Sequence, residues 1–437
     1  MAKSSKMRRR DFLKLSAGAA AFSIMSSAGR GAEASVARLA SSLARQEQPD
    51  KLVFWHMYFD DDANKGRVIK DFANSFESAT GIKVELSQIV WTDHVKRMGV
   101  VGASQDKIPD VFVSGNNVNG LKGMVAGGYV LPLGDLLTPE DLDQYLPSLI
   151  QQCTIEGKLY ALPQETQVVA LTANGKVLDD LGIEAPTTMD ELEAAFEKML
   201  AAGITPYGLF LGEGNFVASW LTHILGSRTM TQEQADAIGS GEAAFSDYAM
   251  PALETIERWA SKGYFGDNPL AMEWGPTEAA QYEGSVGVTG VGGFWPAETK
   301  ETYHQDDLDY RIWVTPPLVD NPPDQVAGGL WWGVSVNARS DYPAAGARLA
   351  LTMTGTGFAE QWLRRTFNMA AGKVDIEQIT FTPLVEYFNI LEKYATFWFS
   401  IPAAINDDYE SALAALAYGE TDAKGTAAKI DQLFAGS

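Results

Sequence analysis

The chain has 437 residues, a formal charge of −22 and 46% apolar residues. That length is more than one compact core uses, so two lobes are expected. The acidity excludes nucleic acid and anionic lipid headgroups as partners, because both would be repelled.

The first elements are export signals. Lys3, Lys6, Arg8, Arg9, Arg10 and Lys14 form a basic start, followed by a short apolar run from Leu15 to Met25 and small residues ending Ala32-Glu33-Ala34. This is the layout of a cleavable signal peptide, and the run is too short to span a bilayer. Arg9-Arg10-Asp11-Phe12-Leu13-Lys14 resembles the twin-arginine export motif, and an ordinary secretory signal carrying arginines is the alternative. Removing residues 1–34 takes away seven basic and two acidic residues, which leaves −27 on the mature chain. Residues 35–49 read as a polar leader.

Regular alternation then begins. Lys51 to Trp55 reads as a buried strand; Val68, Ile69, Phe72 and Phe76 share one helical face; Gly81 stops that helix. Ile82–Leu86 and Val111–Val113 read as the next strands, and strand-helix-strand with short joins indicates an α/β lobe. Thr188 and Glu191 fit a capping box, with Leu192, Phe196, Met199 and Leu200 as the buried stripe of the helix that follows. Gly284 to Gly290 reads as a glycine-spaced strand and turn. Val314 to Pro323 is the most proline-dense stretch and is expected to cross between lobes. Gly328 to Val336 reads as a further strand.

Signs of enzymatic chemistry are few. His56, His94, His223 and His304 lack zinc spacing, and no GxSxG elbow, Walker A loop or GxGxxG after a strand is present. No metal and no cofactor are therefore expected. Carboxylates are abundant, so a glycosidase pair remains open. Asp60-Asp61-Asp62 reads as a solvated acidic loop, since calcium-loop spacing is missing. Cys153, the lone cysteine, reads as a small buried apolar residue. Eleven tryptophans stand out. Trp220, Trp259, Trp362 and Trp398 read as core, whereas Trp91, Trp274, Trp295 and the Trp331-Trp332 pair sit beside Gly, Pro or polar residues. An aromatic plane covers the C–H face of a sugar ring, while amides and carboxylates bond its hydroxyl rim. Trp295, between Gly290-Val291-Gly292-Gly293 and Pro296, is expected at a loop rim. Of Trp331 and Trp332, adjacent on a strand, only one should face a ligand.

Several of these segments, in order, resemble a known family. Lys51–Trp55, Thr80-Gly81-Ile82-Lys83-Val84, Pro109-Asp110-Val111-Phe112, Gly127–Leu133, Glu156–Pro163 and Pro186-Thr187-Thr188 are similar to the family 1 extracellular solute-binding proteins, the maltose-binding-protein-like sugar binders of ABC importers. The similarity is specific over about residues 50–205 and looser to about 340. It implies a periplasmic-binding-protein-like α/β fold, with two α/β lobes joined by a multi-segment, type II-like hinge. The N-terminal lobe would comprise 50–164 and 316–355, and the C-terminal lobe 165–315 and 356–437. It further implies a monomer outside the cytoplasmic membrane, with a sugar or oligosaccharide in the inter-lobe cleft and the transmembrane subunits of an ABC permease as partner. Cleft positions carried over from the family fall on Tyr58, Asp60, Gln88, Trp91, Ser114, Asn116, Asn117, Gln164, Glu165, Glu213, Asn215, Trp295 and Trp331 or Trp332. Where some relatives have Trp-x-x-Asp near the third strand, this chain has Ser114-Gly115-Asn116-Asn117, which speaks against a maltose-type specificity. The expectation is capture without catalysis. A secreted glycoside hydrolase or lyase, or a binding protein for a non-sugar small molecule, is the alternative.

Overall fold

The computed structural model describes residues 49–58, 64–88, 109–212, 214–305, 307–399, 401–402 and 404–436, with the backbone alone for residues 115–119. These residues separate into two compact units. The first holds the chain up to Glu165, Trp332–Thr366 and Ala370–Val374; the second holds Thr166–Trp331, Phe367–Met369 and the chain from Asp375 onward.

The first unit opens with β1 (Lys51–His56), β2 (Lys83–Gln88) and β3 (Val111–Asn116). Both β2 and β3 pair with β1 in parallel, with Lys51 opposite Lys83 and Phe54 opposite Val111. The connection from β1 to β2 is the helix Asn64–Thr80, which buries Val68, Ile69, Phe72, Ala73 and Phe76. These lie at helical spacing, and each large one contributes roughly 1.5–3 kcal/mol by leaving water. Gly81, at φ 78°, ends the helix as expected. A two-stranded ribbon, β4 (Thr154–Ile155) with β5 (Lys158–Leu159), precedes the long β6 (Leu162–Asn174), every residue of which is buried.

β6 carries the chain into the second unit, which adds β7 (Thr205–Tyr207), β8 (Val286–Gly292) and β9 (Tyr310–Trp313). β8 and β9 both pair antiparallel with β6, and β7 runs parallel to β8. The strand β10 (Gln325–Val336) returns the chain to the first unit, and its last residues pair antiparallel with β3, Trp332 opposite Asn116. Its first residues pair with β11 (Ala395–Phe397). The Thr188 capping box forms, but Leu200 is 40% exposed and Ala195 takes its place in the buried stripe of the helix Met189–Ala201.

Two boundaries differ from expectation. The proline-dense segment 314–323 is a loop between β9 and β10 inside the second unit, and the crossing lies between Trp331 and Trp332. The crossings at β6 and β10 are paired strands, whose ladders need the N–H groups that proline lacks. The helix Thr356–Thr366 belongs to the first unit, because Phe358 packs on Phe72 with ring centroids 5.2 Å apart and Arg365 pairs with Asp71 at 2.6 Å. Among the described residues no helix is long and apolar enough to cross a membrane, and no group of three or more His, Cys, Asp and Glu is placed to hold a metal ion.

Candidate functional site

In the first unit Tyr58 follows β1, Gln88 and Asn116 end β2 and β3, Ser114 lies within β3, and Gln164 and Glu165 lie on β6. His56 is buried; its Nδ1 accepts the Tyr58 backbone N–H at 3.2 Å, which leaves Nε2–H to donate to Gln164 Oε1 at 3.0 Å. Gln164 Nε2 in turn donates to the Met353 carbonyl at 2.9 Å. The half-buried Tyr58 ring lies 5.9 Å from Trp362, with Lys65 Nζ 4.8 Å over its face. Gln88 donates to the Met57 carbonyl at 3.0 Å. Ser114 is fully buried beside Gly333, and its hydroxyl has no partner among the described residues. Glu165 is 2% exposed and its backbone bridges to Ala370. Asn116 ends β3 and Asn117 begins the helix Asn117–Ala126. Asp60, Trp91 and Glu213 lie outside the described residues.

The second unit carries a continuous array of aromatic rings. Trp220 contacts Phe216, Trp274, Phe294 and Trp331 with centroids 5.1, 6.2, 5.9 and 6.1 Å away. Trp331 meets Trp398 edge to face at 6.0 Å, and Trp398 stacks on His223 at 4.2 Å. Trp274 stacks on Phe294 at 5.6 Å and lies 5.0 Å from Trp295, which stacks on Phe210 at 5.4 Å. Phe216, Trp220, Trp274, Trp331 and Trp398 are half-buried, so the array presents apolar ring surface while Phe210, Phe294 and Trp295 back it. The buried His223 imidazole is held below its usual pKa by desolvation, its nitrogens facing the carbonyls of Ser219 and Phe399. Asn215, at the start of the helix Phe216–Gly226, donates to the Ser411 hydroxyl at 3.3 Å.

Trp295 corrects the expectation of a loop rim. It is fully buried on the first turn of the helix Phe294–Tyr303, and its indole N–H donates to Gln281. Pro296 is the third residue of that helix, where a first-turn proline has its φ already set and needs no N–H. Trp331 retains partial exposure and Trp332 is 5% exposed. Trp259 and Trp362 are core, as read, whereas Trp220 and Trp398 are half-buried members of the array. Apolar neighbours hid them; for Trp220 the sequence signal was the clustering of Trp and Phe in one helical region, whereas Trp398 directly follows β11. Cys153 is fully buried, and desolvation pushes its thiol pKa up.

The family model described as "Bacterial extracellular solute-binding protein" matches residues 60–363. The alpha-glucosides-binding periplasmic protein of Rhizobium meliloti is 29% identical over 209 residues, which span 45% of this chain and 44% of that relative. Among solved structures, a chitin oligosaccharide binding protein superposes with TM-score 0.78 at 18% identity, covering 88% of this chain and 98% of that one. The Thermus thermophilus maltotriose binding protein, bound with maltotriose, superposes with TM-score 0.66 at 18% identity, covering 87% and 99%. These likenesses share the periplasmic-binding-protein-like α/β fold described above.

Proposed function

We propose, from the premise that this chain belongs to the bacterial extracellular solute-binding proteins, that its solute is a neutral sugar or oligosaccharide. The observation that carries this reading is the aromatic array of the second unit, with Trp220, Trp274, Trp331 and Trp398 half-buried around Phe294. Ring faces of this kind cover the C–H faces of pyranose rings without demanding charge. Buried amides and hydroxyls at Gln164 and Ser114, with Gln88 and Asn215, supply groups suited to sugar hydroxyls. The relative named for alpha-glucosides supports the same class of ligand.

The proposal has further parts. The protein acts outside the cytoplasmic membrane as a monomer, exported by the twin-arginine route suggested by Arg9-Arg10. It closes its two units on the sugar and delivers it unchanged to the transmembrane subunits of an ABC permease. Asp60, Trp91, Asn116, Asn117, Glu165 and Glu213 are included among the ligand-contacting positions on the strength of the family resemblance.

A thermal-shift screen of the exported chain across mono- and oligosaccharides tests the reading. A saccharide at 100 times its dissociation constant should add roughly 2.7 kcal/mol of stability. The same saccharide should be recovered uncleaved after prolonged incubation. Stabilisation by no sugar, or cleavage of the one that binds, overturns it.

A further inference from the structure

Gln167 lies on β6, fully buried, and neither Oε1 nor Nε2 of its side chain has a hydrogen-bond partner among the described residues. A primary amide offers two donors and two acceptor sites. Folded proteins rarely bury one unmet without a reason such as a ligand. Among the described residues the other buried side-chain amides find partners. Gln164 bonds His56 and Met353, Asn174 bonds Gln281 and Val177, Gln281 bonds Thr172, and Gln325 bonds Met230.

Two glycines lie beside the Gln167 amide, with the Met369 side chain and the Phe294 ring packed against the same glycines. A Cβ built on Gly292 would lie 3.2 Å from Gln167 Oε1, and one on Gly293 3.3 Å from it. Gly328, at φ 141°, has no room for a Cβ against the backbone carbonyl of Gln167. Gly292-Gly293 runs directly into Phe294, whose ring stacks on Trp274 and lies 5.9 Å from Trp331. The amide therefore lies beside the backbone that leads into the aromatic array, within the same unit.

We propose that Gln167 contacts the ligand directly, its amide donating to one hydroxyl and accepting from the next on a saccharide laid against the array. A vicinal diol supplies a donor and an acceptor together, which an uncharged amide matches and which a purely anionic or cationic ligand does not. The inference rests on the saccharide reading above and adds to it a specificity-determining residue.

Gln167→Met keeps the length of the side chain and removes its donors and acceptors; Gln167→Leu removes them too, with a shorter, branched side chain. Each is measured twice, for melting temperature without ligand and for Kd with maltotriose, chitotriose and xylotriose. The expected result is a melting temperature equal to or above that of the wild type, with binding of the wild type's preferred trisaccharide weakened at least about ten-fold. Loss of melting temperature in both variants overturns the inference, because the amide would then be satisfied within the fold. Unchanged Kd overturns it as well. If the wild type binds none of the three sugars, the saccharide reading fails and the inference fails with it. If the wild type binds and Gln167→Met binds equally well, only the inference fails.

Discussion

The indole N–H of Trp295 donates to Gln281 Oε1 at 2.6 Å, and the same oxygen accepts the Thr289 hydroxyl at 3.1 Å. Gln281 Nε2 donates to the Thr172 carbonyl at 2.7 Å, and the Gln281 carbonyl accepts Asn174 Nδ2 at 2.6 Å. One side chain thus ties β6, β8 and the helix Trp274–Glu283 to the tryptophan that backs Trp274. Trp295→Ala would leave a cavity beneath the array and a buried amide short of one partner. The expected cost is about 3–5 kcal/mol of stability by chemical denaturation. A loss below about 1 kcal/mol would place Trp295 at the surface and contradict the packing.

Glu278, one helical turn before Gln281, is 6% exposed, and its Oε1 has no partner among the described residues. Burial pushes its carboxyl up to about 7, opposed by the Thr299 hydroxyl and reinforced by the nearby Glu298 carboxylate. In the unfolded chain a glutamate titrates near about 4.3. Between these values the native state holds a proton that the unfolded state has released, so stability falls as pH rises through this window and levels off above it. Glu278→Gln should flatten that slope and raise stability at pH 8, on the order of 2 kcal/mol relative to wild type, by denaturant midpoints at pH 5 and pH 8. An unchanged slope would show that Glu278 is solvated.

Cys153 gives a check on the first unit. Its thiol is fully buried and shifted toward the protonated form, so the nucleophilic thiolate is scarce and shielded. A thiol reagent such as dithiobisnitrobenzoate should leave the native protein unlabelled at pH 8 over hours and react with one equivalent in denaturant. Rapid native labelling would contradict the packing around Cys153.

Export can be tested on the precursor. If Arg9-Arg10 form a twin-arginine signal, replacing both with Lys should hold the precursor in the cytoplasm, as seen by cell fractionation. Normal export of that variant would point to the general secretory route.

Local chemistry made much of the fold legible. The apolar spacing of Val68, Ile69, Phe72 and Phe76, the Thr188–Glu191 box and the Gly81 stop depend only on neighbours in sequence, and each appears where expected. What depends on distant partners was not legible. Nothing around Trp295 announces that Phe210 and Gln281 will enclose it, and nothing around Trp220 or Trp398 announces that they will share a surface with Trp331. The second crossing was sought in prolines and lies instead in a strand whose ladder excludes them. Gln167 stands at the head of an apolar run, Val168-Val169-Ala170-Leu171, and reads there as one more strand residue; only its unmet amide distinguishes it.

The aromatic array of the second unit is the surface proposed to bind the saccharide. Calorimetric titration of the exported chain, wild type and the Trp274→Ala and Trp331→Ala variants, with maltotriose, chitotriose and xylotriose tests this. The wild type should bind at least one of them. Each variant should lose about 2 kcal/mol of binding free energy, roughly thirty-fold in Kd, while remaining folded. Wild-type protein that takes up none of the three, or folded variants that bind as tightly as wild type, would contradict it.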